Sequence, residues 1–323
     1  MSEPADVVAT TEPQSESLMT VLVALAANAA IAVAKTVAAV VTGAASMLAE
    51  AAHSWADTGN EVLLFIAHRR STQKADAQHP LGYGREAYVW ALFAGFGLFG
   101  IGSAVSIMHG IQELLDPEPA TDYLVSYLVL GIAFVLEGFS FRQALRQARG
   151  EAEGGPEDTT VLDHVLATSD PTLRAVFFED AAALVGLVIA FVGILLHQVT
   201  GSATPDAIGS IAVGLVLGVV ALMLIQKNRR FLVGVTVDPA IRAAALAMLL
   251  SKPQVNSVSF LHIEYVGPSR VYFMAAVDLA GDDSEHEVAQ QLADLEDELL
   301  RTRSRVVGAT LTLSRPGATP LTE

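Results

Sequence analysis

The stretch "VLVALAANAAIAVAKTVAAVVTGAASMLAEAAHSWADTGNEVLLF", residues 21–65, is largely apolar, yet its second half contains one histidine and several acids. Apolar runs of about twenty residues are long enough to cross the hydrocarbon core of a bilayer. His53, Asp57 and Glu61 recur every four residues, so a helix places them in one column. An ionisable side chain at membrane depth is costly and indicates a functional site. The stretch therefore predicts two membrane helices, the second of which carries a column of ionisable groups.

The remainder of the chain repeats the apolar pattern. Of its 323 residues, 52% are hydrophobic and only 17% are charged, which is typical of a multi-span membrane protein with one soluble piece. The windows long enough to span a bilayer are 18–41, 46–67, 88–112, 123–145, 173–197 and 205–226. We therefore expect an all-α polytopic bundle of six transmembrane helices, embedded in a lipid bilayer, with the cell (inner) membrane as its location.

Basic residues predict the orientation of this bundle. Lys and Arg follow the second, fourth and sixth windows, whereas the loops "TGAAS", "DPEPATD" and "HQVTGSATPD" after the other three contain neither. Loops rich in Lys and Arg face the cytosol by the positive-inside rule. Both termini are therefore predicted to be cytosolic.

The overall composition excludes several classes of function. A net charge of −16 argues against nucleic acid as a partner, and the lack of cysteine rules out disulfides and thiolate metal sites. The sequence shows neither a nucleophile–base set nor a nucleotide-binding loop. We expect a protein that is not an enzyme and holds no prosthetic group.

Changes in composition divide the chain into four segments. The predicted segments are a disordered cytosolic tail at 1–16, a transmembrane domain at 17–230, a cytosolic domain at 231–316 and a short tail at 317–323. The Gly- and acid-rich segment 150–163 is predicted to be a flexible connector, followed by a helix that Asp170 caps and Pro171 opens.

The predicted cytosolic domain alternates between helical and strand patterns. Helices are indicated at 239–251 and 283–303, and extended segments at 255–265, 270–279 and 306–314. This α-β-β-α-β order is that of a small C-terminal α+β domain, which we expect to need a partner subunit for full stability.

The column in the second window is half of a tetrahedral metal shell, since His53 and Asp57 present an imidazole and a carboxylate one turn apart. The fifth window offers the other half in Glu179 and Asp180. At 1.5 Å per residue, Asp57 lies about ten residues from the cytosolic end of its span, and the two acids of the fifth window lie at a similar depth. His53, Asp57, Glu179 and Asp180 are therefore predicted to form a metal site.

A structural ion pair is the alternative interpretation of these acids. Lys35, in the first window, could neutralise either Asp57 or Glu50. Asn28 lies seven positions before Lys35, on the same helical face, and could line the same cavity. The sequence leaves both interpretations open.

Two motifs and the C-terminal domain resemble a known family. "HSWAD" at 53–57, "HPLGYGREAYVWAL" at 79–92 and the α-β-β-α-β tail resemble the cation diffusion facilitator family. "FFEDAAALVGLVIA" at 177–190 is most similar to its divergent zinc-transporter-nine-like branch. The resemblance implies a homodimeric metal/proton antiporter that exports divalent cations from the cytosol, with a metallochaperone-like cytosolic domain.

The resemblance also assigns roles to residues. His53 and Asp57 match the first half of the family's transport site, but the usual His-x-x-x-Asp of the fifth span is replaced, with Glu179 at the level of the histidine and Ala183 at that of the aspartate. After the second span, Asp76 and His79 match a second metal site of the family, here weaker because Tyr83 stands where a further histidine is usual.

We therefore predict a transporter that exports a divalent cation in exchange for protons. Zinc is the first candidate, and manganese, iron or cobalt also suit imidazole and carboxylate ligands. The altered fifth span leaves one alternative function, a transport-deficient protein with a carrier fold that acts as a metal sensor or scaffold.

Overall fold

A computed structural model describes residues 18–117, 122–153 and 160–321. The predicted tail at 1–16 lies outside the described residues. The chain divides into two compact units, one comprising the residues up to His68 together with Val89–Asn228, the other comprising Arg69–Tyr88 together with the residues from Arg229 onward.

The first unit is built from helices. They are α1 (Leu18–Thr42), α2 (Ala45–Ser71), α3 (Glu86–Gly97), a π-helical turn (Leu98–Ala104), α4 (Val105–Leu115), α5 (Tyr123–Glu153), α6 (Val161–Ala167), α7 (Pro171–Thr200) and α8 (Thr204–Val233). Every predicted membrane window coincides with one of these helices or, for the third, with the continuous run α3–π turn–α4. The predicted helical bundle is confirmed.

Among the described residues, five helical segments are both long and apolar enough to cross a membrane: Leu25–Thr42, Glu86–Leu115, Tyr123–Ala152, Pro171–Thr200 and Thr204–Val233. The helix α2 has 27 residues, or about 40 Å at 1.5 Å per residue, which is ample length. Its ionisable column lowers its hydropathy, so α2 differs from the other spans in composition rather than in length.

The predicted flexible connector at 150–163 is partly wrong. Helix α5 continues to Glu153, and α6 starts directly after Thr160, whose side chain accepts a hydrogen bond from the Asp163 amide at 3.1 Å. Residues 154–159 lie outside the described residues. An N-cap of this kind supplies the acceptor that a helix start lacks, so glycine and acid content alone misjudged this segment.

The start of α7 agrees with its prediction. Asp170 Oδ1 accepts hydrogen bonds from the amides of Thr172 and Leu173 at 2.8 and 3.4 Å, and Pro171 occupies the first helical position. This cap fixes where α7 begins and thereby the depth of Glu179 and Asp180.

Small residues bring the helices of the first unit close together. The core includes Ala49 and Ala56 of α2 and Ala182 of α7, together with Leu217 of α8. Small residues at helix interfaces allow backbones to approach each other in membranes. As a result, the helix with the ionisable column packs within the same core as α7 and α8.

The second unit contains a three-stranded sheet and two helices. Strands β1 (Val255–Gly267), β2 (Arg270–Leu279) and β3 (Val306–Leu313) lie in the order β1-β2-β3, and the helices are α9 (Pro239–Leu250) and α10 (Glu285–Thr302). Leu261 pairs with Ala275 in the antiparallel β1–β2 ladder, and Ala275 pairs with Leu311 in the parallel β2–β3 ladder. The predicted α-β-β-α-β domain is confirmed.

The core of this domain lies between the sheet and the helices. Val258, Phe273 and Val277 from the strands pack with Leu246 of α9 and Leu295 of α10. Parallel pairing of β2 with β3 needs a crossover connection, which α10 provides. The amphipathic face of α10 therefore closes a two-layer α/β core.

Candidate metal centre

His53 and Asp57 occupy successive turns of α2, and both are available to a ligand. His53 is 0% exposed, and its Nδ1 lies 3.3 Å from Asp57 Oδ1. Within the described residues, neither ring nitrogen of His53 nor Asp57 Oδ1 makes a hydrogen bond. Buried polar atoms are nearly always hydrogen-bonded, so these atoms are exceptional: Nδ1 and Oδ1 lie close to each other but make no hydrogen bond.

Glu179 faces the same helix from α7. It is 7% exposed, and its Oε1 accepts a hydrogen bond from Asn60 Nδ2 at 2.8 Å. Glu179 therefore contacts α2 through Asn60, a partner that the sequence did not predict, and the shared metal site stays a prediction.

Asp180 points to a different neighbour. Its Oδ2 accepts a hydrogen bond from Ser140 Oγ of α5 at 2.7 Å. Consecutive residues of a helix are rotated by about 100°, so Glu179 and Asp180 serve two different interfaces of α7.

The predicted metal residues are thus only partly assembled. His53 and Asp57 lie together, whereas Glu179 and Asp180 are held by Asn60 and Ser140. In the part of the chain that the structure describes, no three histidine, aspartate or glutamate side chains are grouped closely enough to hold a metal ion. A complete shell requires Glu179 or Asp180 to leave its present hydrogen bond.

Lys35 lies beside this column in an ion-pair network. Its Nζ is 3.0 Å from Glu50 Oε2 and 3.4 Å from Glu137 Oε1. Of the two partners considered from the sequence, the structure pairs Lys35 with Glu50 rather than with Asp57. Glu137 was missed, although a single acid within the apolar window 123–145 was a usable signal.

Two further contacts join α2 to the neighbouring helices. A Cβ on Gly186 of α7 would lie only 2.5 Å from Glu50 Oε1, so a larger residue there would force the Glu50 carboxylate to move. Asn28 Nδ2 donates a hydrogen bond to Glu61 Oε1 at 2.5 Å. The expectation that Asn28 lines the same region is consistent with this contact.

Asp76 and His79, the weaker second metal site suggested by the resemblance, form a hydrogen-bonded turn in the second unit. Asp76 Oδ2 accepts a hydrogen bond from the Tyr83 hydroxyl at 2.7 Å, and Oδ1 accepts from the His79 and Gln78 amides at 2.7 and 2.9 Å. The Tyr83 hydroxyl and then the His79 amide lower the pKa of Asp76 to about 2. The carboxylate is therefore already engaged in stabilising its own turn.

Comparison with known proteins assigns the family. Residues 21–233 match the family model described as the cation efflux transmembrane domain. The chain belongs to the cation diffusion facilitator family. The matched range contains every predicted ligand, and with the apolar helices it makes the chain an integral, multi-pass membrane protein.

Several curated proteins are similar to this chain. Metal tolerance protein C4 of Arabidopsis thaliana is 36% identical over 235 residues, covering 73% of this chain and 51% of that protein. The mitochondrial proton-coupled zinc antiporter SLC30A9 of Homo sapiens is 33% identical over 261 residues, covering 81% of this chain and 46% of that protein. Cation-efflux pump FieF of Shewanella oneidensis is 31% identical over 153 residues, covering 47% of this chain and 48% of that protein.

The resemblance to the zinc-transporter-nine-like branch is confirmed by the SLC30A9 match. The chain spans about half the length of the curated relatives it matches most extensively. The names of these relatives describe antiporters, tolerance proteins and pumps rather than enzymes.

Proposed function

We propose that this protein exports a divalent cation, zinc, from the cytosol in exchange for protons. The observation that carries the proposal is the pair His53–Asp57, in which both buried ring nitrogens and the buried Oδ1 make no hydrogen bond among the described residues. Leaving one buried polar atom without a partner costs about 1–3 kcal/mol. A bound cation would supply the missing partner for both side chains.

The ligand types suit this cargo. An imidazole and a carboxylate from α2, joined by Glu179 once it leaves Asn60, would give the mixed nitrogen and oxygen donors that zinc accepts. Manganese, iron and cobalt bind similar ligand sets, so the proposal names zinc because a relative is called a proton-coupled zinc antiporter.

Proton exchange follows from the same atoms. A metal binds neutral imidazole and ionised carboxylate, so it competes with protons for His53 and Asp57. Release of the metal on the far side would return protons to these groups. Secondary carriers achieve alternating access by rocking helices about a central site, and in this protein α2 and α7 are the helices that would separate.

Flux in reconstituted vesicles tests the proposal. Asp57→Asn keeps the size of the side chain but removes a charged ligand, so we expect loss of zinc flux and of zinc-driven proton movement. Thr58→Ala is the matched control on α2, since the Thr58 hydroxyl bonds the Ser54 carbonyl of its own helix, and flux should persist. Full zinc flux in Asp57→Asn vesicles would contradict the site.

The same flux assay distinguishes the roles of Glu179 and Asp180 in α7. Glu179→Gln should reduce zinc flux at least about tenfold, as expected for a ligand or its immediate support. Asp180→Asn should reduce flux less, because Asp180 is bonded to Ser140 on α5. Equal losses from both substitutions would assign the ligand role to the pair rather than to Glu179.

A metal sensor or scaffold remains the second candidate. The observation that favours it is the hydrogen bond that holds Glu179 to Asn60 and away from a metal shell. This alternative predicts that purified protein binds zinc in equilibrium dialysis while wild-type vesicles show no zinc flux.

A further inference from the structure

The start of α2 is capped by an acid from another helix. Asp206, in the first turn of α8, is 1% exposed. Its Oδ2 accepts a hydrogen bond from the Ala45 amide at 2.6 Å, and its Oδ1 accepts from the Ser46 amide at 3.4 Å and from the Ser46 hydroxyl. The first amides of a helix lack partners within the helix and attract negative charge. A carboxylate of α8 therefore satisfies the end of the helix that carries His53 and Asp57.

Helix α7 reaches the same point. A Cβ on Gly193 would lie 3.3 Å from Asp206 Cα, and the Ser46 hydroxyl lies 3.5 Å from the Ala190 carbonyl oxygen. Gly209 of α8 completes the contact, since its Cβ would lie 3.8 Å from Ser46 Cβ. The ends of α2, α7 and α8 thus meet through small residues, with Asp206 at the centre.

This contact lies between His53 and the start of α2. It is at the end of α2 opposite Arg69 and Arg70, which are predicted to be cytosolic. At 1.5 Å per residue, His53 is about 12 Å further along α2. A cation could leave His53 and Asp57 toward this end only if α2 separates from α7 and α8.

We propose that Asp206 is a positioning residue that holds the non-cytosolic end of α2 closed against α7 and α8 until transport opens it. The proposal rests on the transport function proposed above. Opening this end would break three hydrogen bonds to one buried carboxylate at the same time. Asp206 would thereby keep the two sides of the membrane from reaching His53 and Asp57 simultaneously, which alternating access requires.

Proton leak without metal is the first test. In vesicles of full-length protein, Asp206→Asn keeps one acceptor oxygen but loses the charge, so the closed end should open more often and proton leak should rise roughly tenfold. The zinc KM measured from the cytosolic side should rise while the maximal rate changes less. Ser46→Ala, which removes one of the bonds, should have a smaller effect in the same direction.

Asp170→Asn is the matched control. Asp170 also caps a helix start, but the amides that its side chain accepts from, those of Thr172 and Leu173, belong to its own helix α7. Its substitution should lower the thermal stability without increasing proton leak. A general loss of helix capping would instead raise the leak in both variants, which would contradict a specific role for Asp206.

A disulfide provides a second test if Asp206→Asn folds poorly. The chain has no native cysteine, so Ser46→Cys combined with Gly209→Cys introduces one defined pair and leaves Asp206 in place. A Cβ on Gly209 would lie 3.8 Å from Ser46 Cβ, a separation usual in disulfides. The oxidised pair should bind zinc from the cytosolic side but show no net zinc flux, and reductant should restore the flux.

The outcomes distinguish the two proposals. Absence of zinc flux in wild-type vesicles would contradict both. Normal wild-type flux, together with unchanged leak in Asp206→Asn or unimpeded flux in the oxidised cysteine pair, would overturn the role of Asp206 alone.

Discussion

Lys35 and His53 are both fully buried within the helical unit, but they differ in their polar contacts. Glu50 and Glu137 lie within 3.4 Å of Lys35 Nζ, whereas the ring nitrogens of His53 make no hydrogen bond among the described residues. A buried charge without a counter-charge is strongly unfavourable. We therefore interpret Lys35 and its two acids as a network that stabilises the bundle. His53 and Asp57 form a pair that can accept a ligand.

This separation predicts the effect of removing Lys35. Lys35→Met would leave two acids of α2 and α5 buried without a cation, which we expect to destabilise the protein by about 3 kcal/mol. Lys35→Met combined with Glu50→Gln should recover part of this loss, and Lys35→Arg should retain most of the stability. Thermal unfolding in mild detergent ranks the stabilities of the wild type and these variants. An unchanged melting temperature in Lys35→Met would show that the network does not contribute to stability.

At the scale of elements, the connection between α2 and α3 is part of the second unit. A Cβ on Gly84 would lie 2.5 Å from the Val266 carbonyl oxygen, and one on Gly267 would lie 2.7 Å from Gly84 Cα. Arg85 also pairs with Glu264 of β1 at 2.5 Å. Two backbones that approach this closely exclude any side chain between them. The connection therefore packs within the second unit, against the end of β1.

Gly84→Ala tests this close approach. The added methyl group collides with backbone atoms, which cannot move aside by a side-chain rotation. We therefore expect the second unit to lose about 1–3 kcal/mol of stability. Gly150→Ala in α5 is the control, because a Cβ there has nothing within 4 Å and alanine favours a helix over glycine. Limited proteolysis of residues 69–88 measures how firmly this segment packs against the end of β1. Equal protection of the segment in Gly84→Ala and in the wild type would contradict the close approach.

At the scale of the whole molecule, helix length exceeds what the hydrocarbon core of a bilayer needs. Helix α5 has 31 residues, or about 46 Å, compared with about 30 Å for the hydrocarbon core. Arg142, Arg146 and Arg149 all lie in its C-terminal half, and Arg229 and Arg230 lie near the end of α8. Basic residues on such extensions favour the cytosolic side.

The predicted orientation can be tested with terminal tags. An epitope at either end of the chain should be protected in intact cells and become accessible only after permeabilisation. The same tagged protein allows the proposed homodimer to be tested by mass measurement in mild detergent. Labelling of either tag from outside intact cells would contradict the six-span topology.

Local patterns in the sequence determined a large part of this protein. Apolar windows of sufficient length became helices, alternation and amphipathic periodicity produced the α-β-β-α-β domain, and the four-residue spacing placed Asp57 one turn from His53. Each of these depends on backbone geometry within a few residues, which is why it could be predicted. The glycine and acid content of segment 150–163 predicted a flexible connector, but α5 continues to Glu153 and the Thr160 cap starts α6.

Only the tertiary structure decided which side chains meet between helices. Lys35 pairs with Glu137 across 102 residues, Asn60 with Glu179 across 119, and Ala45 with Asp206 across 161. Helical periodicity states which face a side chain occupies but not which helix packs against that face. That choice depends on where small residues such as Gly186 and Gly193 let the backbones approach. The column on α2 was therefore visible in the sequence, whereas its partners depended on the packing of the bundle.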